Sequence, residues 1–380
     1  MTTTEPSTPS AAAIPARPSR LVTSGGARIY TLTLDAFPHF AVNTFLVVIG
    51  EASAPIYAAL IDTGSSHPDS TAGLEAGLAA VQATWGEQVS WDSLSRVIVT
   101  HAHPDHVAGL PFVRGRTRAP VAAHALDVPT IENPFAARDA AALQVEDQIR
   151  WAGIPDQKEG EPGGAVEAGP GYATRLRRRS RNPMSPEGVQ VETVLRGGEL
   201  LDGHFRVIYT PGHQGAQICL LVHDVLLSAD HLLPHNSPPL MPERAQPGAG
   251  LTHYLASLDR VEALSGVRVA LGGHGGPMHD WGGRIGQLRA RYQDKLQAVL
   301  AAASEALTVH DLTLRLYPQI SQVQALLLLD QTGALVEYLV RQGDLDEVNP
   351  AAAMPGASEP ALFRTAQRRN QREKDQRQKV

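Results

Sequence analysis

One cysteine, Cys219, stands in a chain of 380 residues. That excludes an internal disulfide framework and any cysteine-based metal cluster, so a metal site here must be built from His, Asp and Glu. Long apolar runs are missing too: the stretch Val323 to Leu329 is interrupted by Gln324 and falls far short of the ~20 residues that cross a bilayer. No membrane span is expected. The N-terminus has no apolar core behind a basic start, so a secretory signal is not indicated and the cytoplasm is the expected compartment. Excess positive charge is absent: the formal net charge is −6, which argues against a surface generally coated with nucleic acid. No Gly-x-Ser-x-Gly motif occurs, and Cys219 sits inside an apolar strand candidate, so neither a serine nor a cysteine nucleophile is indicated. What is present is a 43% hydrophobic composition, ample for a core, and fifteen histidines.

Residues 1–20 are rich in Ser, Thr, Pro and Ala without periodicity and read as a disordered leader. From residue 21 to 284, apolar runs of strand length alternate with helix-spaced segments such as Thr71 to Thr84 and Ala136 to Trp151. Within this region 153–186 fills with Gly, Pro, Glu and Arg and reads as a long inserted loop; its Arg175 to Arg181 cluster is expected to be a solvated surface, with a phosphate clamp as the other reading. Residues 285–350 suit a small appended domain of three helices and a terminal turn, with separate segments at Val323 to Gln331 and Ala334 to Gly343, an order compatible with a winged helix. Residues 351–380 end net basic and read as a disordered tail.

One stretch carries the chemistry. Val97-Ile98-Val99-Thr100 is a buried-strand pattern that runs directly into His101-Ala102-His103-Pro104-Asp105-His106. After an extended segment His101 and His103 can point the same way, while Pro104 starts a turn or helix that brings Asp105 and His106 round. Two cations fit this density of ligands better than one. Further candidates follow later strand candidates: His213 in Thr210-Pro211-Gly212-His213, Asp230 after Ser228, and His274 in Gly272-Gly273-His274-Gly275. Glycine beside the imidazole lets the backbone approach closely and turn tightly.

Together with Asp62-Thr63-Gly64, these blocks in this order resemble the metallo-β-lactamase superfamily of binuclear metallohydrolases, over roughly Arg20 to Arg284. The resemblance implies an α/β fold, an αβ/βα four-layer sandwich with the metals in a cleft at one edge of its sheets, here followed by a small helical, winged-helix-like C-terminal domain. It implies one divalent ion held by His101, His103 and His213, a second held by Asp105, His106 and His274, and Asp230 bridging them. Asp62 becomes a buried residue hydrogen-bonding within the ligand loops. Zinc is the expected metal, with iron or manganese as alternatives. His103 stands where flavodiiron-type proteins place a glutamate, and the blocks contain no ligand cysteine of the kind used by the best-known zinc β-lactamases.

A water shared by two such cations ionises near neutral pH, so the expected activity is hydrolysis by a metal-bridging hydroxide, with Asp105 orienting it or taking its proton. An ester, thioester or lactone of a small metabolite is the expected substrate. The rival reading is a metal-dependent RNA endonuclease or phosphodiesterase, motivated by the arginine cluster, the basic tail and the winged-helix pattern. Persulfide dioxygenase chemistry and a non-catalytic binding module are more remote. His235, on the loop after Asp230, is a candidate substrate contact.

Overall fold

Two periodicities decide the architecture. In the N-terminal strands odd-numbered Ile29, Phe45, Val47, Ala59 and Ile61 pack in one core, while even-numbered Tyr30, Leu32, Leu34, Leu46, Val48 and Leu60 pack in another. A pleated strand sends alternate side chains to opposite faces, so these strands are covered on both sides. The computed structural model describes residues 18–155, 172–180, 182, 185–319 and 322–366. Its first half comprises β1 (Ser19–Val22), β2 (Arg28–Phe37), β3 (Phe40–Glu51), β4 (Ala54–Ile61), α1 (Pro68–Trp85), β5 (Arg96–Ile98), α2 (Pro104–Val107), α3 (Leu110–Arg114), β6 (Val121–His124), α4 (Val128–Glu132), α5 (Pro134–Ala152), α6 (Tyr172–Ser180) and β7 (Thr193–Leu195). Strands β1 to β7 form one sheet in sequence order, antiparallel up to β4 and parallel beyond it.

The second half supplies β8 (Leu200–Leu201), β9 (Phe205–Tyr209), β10 (Ile218–Val222), β11 (Val225–Ala229), α7 (Leu251–Glu262), β12 (Val269–Gly272), α8 (Trp281–Ala302), α9 (Val309–Leu316), α10 (Gln322–Gln342), β13 (Leu345–Glu347) and β14 (Phe363–Thr365). Strands β8 to β12 make a second sheet, ordered β12-β11-β10-β9-β8. Its Val207, Ile218, Leu220, Leu227 and Leu271 face the first sheet, and its Ile208, Cys219, Leu226 and Ala270 face α7 and α8. Leu74, Leu78 and Val81 of α1 cover the far side of the first sheet. The layers are therefore helix, sheet, sheet, helix, the four-layer α/β sandwich expected.

The C-terminal segment does not have a core to itself. Residues of α8, α9, α10 and β14 share one apolar cluster with α5, α6, α7 and the outer face of the second sheet. In chain order it is helix, helix, helix and two antiparallel strands, with Leu307 bridged to Phe363.

Four expectations need correction. Ser19 and Arg20, expected in the leader, pair with Thr31 and Tyr30 as part of β1; residues 1–17 lie outside the described residues. The inserted stretch 153–186, expected as loop, contains α6, because Ala173 and Leu176 lie one turn apart and bury against Val145 and Ile149 of α5. The segments Val323 to Gln331 and Ala334 to Gly343 are one helix, α10, which runs unbroken through Gly333. The tail is ordered as far as residue 366, since Ala361 and Phe363 are buried and β14 pairs with β13; residues 367–380 lie outside the described residues.

Candidate metal centre

Strand direction gathers the candidate ligands. Parallel β4 and β5 end side by side, with Ile61 opposite Ile98, so Asp62 and the segment from Thr100 to His106 leave the same edge of the first sheet. In the second sheet β9 and β11 both run antiparallel to β10, and β12 runs parallel to β11. His213, Asp230 and His274 thus follow the carboxyl ends of three co-directional strands. The backbone N–H of Ile218 donates to Thr100 O at 3.0 Å and joins the two edges. Ligand sites at the carboxyl ends of strands are a general outcome of such sheets.

The seven side chains form two groups. His101, His103 and His213 place ligand atoms within 4.8 Å of one another, and Asp105, His106, Asp230 and His274 do the same. Within the first group His103 Nδ1 faces His101 Nε2 at 3.0 Å and His213 Nε2 at 2.9 Å. Within the second, His274 Nε2 lies 3.3 Å from both Asp105 Oδ2 and Asp230 Oδ2. Asp230 joins the groups, because its Oδ2 is also 3.6 Å from His213 Nε2.

Hydrogen bonds on the far side of the rings fix which nitrogen faces inward. Asp62 accepts at Oδ1 from Thr100 N and at Oδ2 from Thr100 Oγ1, both at 2.7 Å, and at Oδ2 from His106 Nδ1 at 2.8 Å. Having donated its own proton, the Thr100 hydroxyl accepts from His101 Nδ1 at 3.1 Å. His213 Nδ1 donates to Pro239 O at 2.7 Å and His274 Nδ1 to Ala41 O at 2.6 Å. Four imidazoles are therefore oriented with Nε2 toward the centre, as tautomer control in metal sites requires. Two buried atoms at that centre, His106 Nε2 and Asp230 Oδ1, have no hydrogen-bond partner. The two face each other at 3.4 Å without making a hydrogen bond; buried polar atoms are nearly always paired, and a cation fits this donor set of imidazole and carboxylate.

The backbone bears the strain that this arrangement costs. Asp62 and Ala229 both lie at positive φ, 59° and 44°, a conformation that is unusual for a residue with a side chain and concentrates at functional sites. Gly273 has no side chain because one there would strike Asp230 and His106. Asn43 of β3 clamps the same turn, its Nδ2 donating to Gly272 O at 3.0 Å and to Gly275 O at 2.8 Å.

Proton affinities differ between the groups. Burial, with His106 and His103 alongside, holds His101 well below the ordinary histidine value, and burial lowers His213. Burial alone would lower His106 and His274 as well. The carboxylates of Asp105, Asp230 and Asp62 outweigh it at His106, which is raised well above the usual value, and Asp105 and Asp230 raise His274 to about 10. Burial likewise disfavours the Asp230 carboxylate, yet the facing His106 and His274 bring it well below the usual carboxylate range.

The family model described as Metallo-beta-lactamase superfamily matches residues 38–274. The chain belongs to the metallo-β-lactamase superfamily. A metallo-beta-lactamase family protein from Thermus thermophilus is similar in structure, with a TM-score of 0.63, 26% identity, and coverage of 89% of this chain and 98% of that one. A beta-lactamase domain protein from Burkholderia ambifaria aligns over 94% of this chain and 96% of its own with a TM-score of 0.66; at 21% identity it speaks for the metallo-β-lactamase fold alone. No curated protein matches the chain. Among the described residues no helix is long and apolar enough to cross a membrane.

Next to the metallo-β-lactamase centre is a cavity of about 540 Å³ that reaches from His103 and Gln214 past α5 and α6 to Asp330 of α10. His235 does not line it: the side chain is exposed and its carbonyl accepts from Arg291 Nη1 at 2.8 Å. Cys219 is fully buried, and burial pushes its thiol up to about 12, which makes it inert. Two residues with no sequence signal also bear on the site. Asp127, after β6, is buried and accepts from Gln214 Nε2 at 2.7 Å and from the Ala102 backbone, so one carboxylate ties the His101–His103 segment to the residue after His213; burial raises it to about 7. His231, buried beside Tyr254, has neither ring nitrogen paired, and burial lowers it to about 3.

Proposed function

We propose that the protein is a binuclear metal-dependent hydrolase acting on an ester, thioester or lactone of a small metabolite. The observation that carries this reading is the convergence of seven donor side chains in two groups, two of whose buried atoms, His106 Nε2 and Asp230 Oδ1, make no hydrogen bond. His101, His103 and His213 would hold one divalent ion, Asp105, His106 and His274 a second, and Asp230 would serve both. Zinc is the first choice, with iron and manganese compatible with the same donors. When bound, such a pair supplies Lewis acidity and lowers the pKa of a water toward neutrality.

The residues of the chain do the remaining work. Asp62 orients His106 directly and His101 through Thr100. Asp105, whose Oδ2 faces His274 Nε2 at 3.3 Å, would receive the proton of the attacking water. The cavity beside His103 would seat the acyl group, and the C-terminal segment would close its far end. Helix α10 supplies Asp330 to the wall, and its Glu337 carboxylate accepts from the backbone N–H groups of Glu243 at 2.6 Å and Arg244 at 3.2 Å, fixing the 241–246 loop that lines the same space. The helix, helix, helix, strand, strand order supports a winged-helix-like unit used here to shape a pocket. Cytoplasmic residence remains part of this proposal.

The test is to reconstitute the protein with zinc, iron or manganese and assay a thioester and lactone panel beside single-stranded RNA. Thioester or lactone turnover that His103→Ala abolishes is the expected outcome. RNA cleavage lost in the same variant, without ester turnover, would replace this reading by the phosphodiesterase one.

A further inference from the structure

The walls of the cavity have a chemistry of their own. Its two arginines are already neutralised: Arg244 Nη2 donates to Asp147 Oδ2 at 2.8 Å, and Arg138 Nε donates to Asp139 Oδ1 at 2.8 Å. Arg244 is further occupied by the Trp151 ring, 4.5 Å from the guanidinium carbon. Carboxamides take up much of the remaining polar lining, from Gln144, Gln148, Gln214, Gln246 and Asn182. Two of them are poised as acceptors. Gln148 Nε2 donates to Asp330 Oδ1 at 2.9 Å, so the amide nitrogen is held by α10 and the carbonyl oxygen is left for an incoming group. Gln246 Oε1 is buried and has no partner. A buried carbonyl without a donor is costly, and that cost is relieved by a ligand bringing an N–H. Alanine, valine, leucine and methionine at positions 137, 141, 145, 176 and 241 make up an apolar floor.

With its arginines paired, two carboxylates (Asp147 and Asp330) and spare carbonyl oxygens, the wall disfavours an anion and offers acceptors to a hydrogen-bond donor. We propose that this cavity selects acyl substrates whose acyl arm contains an uncharged secondary amide, with the amide N–H received by the carboxamide oxygens of Gln148 and Gln246. The inference rests on the hydrolase reading of the adjacent metal centre and names the substrate class for it. Sites built to hydrogen-bond a substrate N–H discriminate strongly against an analogue lacking it, because the site's own polar groups then stay unpaired.

The experiment compares the S-ethyl thioesters of N-benzoylglycine and of 4-oxo-4-phenylbutanoic acid, which differ only by N–H against CH₂. On the metal-loaded protein kcat/KM is expected to favour the amide by ~10-fold or more, and Gln148→Met and Gln246→Met are expected to bring the ratio toward one. Equal rates on the two thioesters would overturn the amide proposal while leaving the hydrolase reading standing. Should neither thioester turn over, the hydrolase reading is what fails, and the cavity is then read by calorimetry on the metal-free wild-type chain with N-ethyl amides of the same two acids. Tighter binding of the benzoylglycine compound supports amide selection; equal or weaker binding ends it.

Discussion

The two halves of the candidate metal centre lie where the edges of the two sheets meet and share Asp230, yet they prepare for a cation in opposite ways. In the group of His101, His103 and His213, burial disfavours the charged forms of His101 and His213, whose Nε2 atoms lie 3.0 and 2.9 Å from His103 Nδ1. The group of Asp105, His106, Asp230 and His274 already balances its charge, because carboxylates keep two imidazoles protonated. The first group keeps the Nε2 lone pairs of His101 and His213 ready. The second is an ion-pair network in which protons stand where a cation would go, so metal entry there is an exchange.

Asp230 is where the comparison is broken most severely. Its Oδ2 serves both groups and its Oδ1 is one of the orphaned atoms, so Asp230→Ala is expected to lower turnover by on the order of 10³-fold and to reduce the tightly held metal from two equivalents to about one, read by elemental analysis after gel filtration. Two retained equivalents would mean that the groups do not depend on their shared carboxylate. Asp62→Asn acts at one remove. It weakens the support of His106 directly and of His101 only through Thr100, so metal affinity should fall by about 10 to 100-fold, more for the second equivalent than for the first, as competition with a chromophoric chelator would show.

The difference in proton state has its own readout. A histidine raised above neutrality carries a proton at pH 7 that it must give up to bind a metal; one depressed below it does not. Loading the second group is therefore expected to release about two protons, from His106 and His274, and loading the first none from His101 or His213. Calorimetry in buffers of different ionisation enthalpy separates the two steps. Release should decline as the pH approaches the His274 value of about 10.

Much of this centre was legible because every ligand block follows an apolar strand run, and strands show themselves by alternation. The convergence of His213, Asp230 and His274 was less so: it depends on β9, β11 and β12 running the same way, which local spacing does not encode. Helix α6 was hidden because, among its described side chains, Ala173 and Leu176 alone mark a buried face among arginines, one of which, Arg177, pairs with Glu146 of α5 at 2.6 Å. Helix α10 looked interrupted at Gly333, where the missing side chain instead admits Trp151 of α5 and Pro242. Strands β13 and β14 are three residues each, too short for alternation to appear. The cavity was invisible for the same reason as Asp127: its members come from segments as far apart as His103, α5, α6, Gln214, the 241–246 loop and α10, and meet only in the folded chain.

Asp127 offers the smallest and most selective test, since it contacts the residues beside all three ligands of the first group and none of the second group's supports. Its carboxyl is ordinary in the unfolded chain, near pKa 3.9, and raised by burial to about 7 in the folded one. Sign follows from that direction: the folded state favours the protonated acid, so the wild-type protein keeps its full stability below about pH 4 and loses this contribution as the pH rises toward 7. Asp127→Asn keeps a carbonyl acceptor for Gln214 Nε2 and the Ala102 N–H but cannot ionise. The variant should therefore gain on the wild type in thermal midpoint between pH 4 and pH 8 in the metal-free form, with little change in metal affinity. A constant difference across that range would show that the buried carboxyl does not titrate with folding, while a loss of metal at the first group alone would show that its charge, and not its shape, holds His101, His103 and His213 in register.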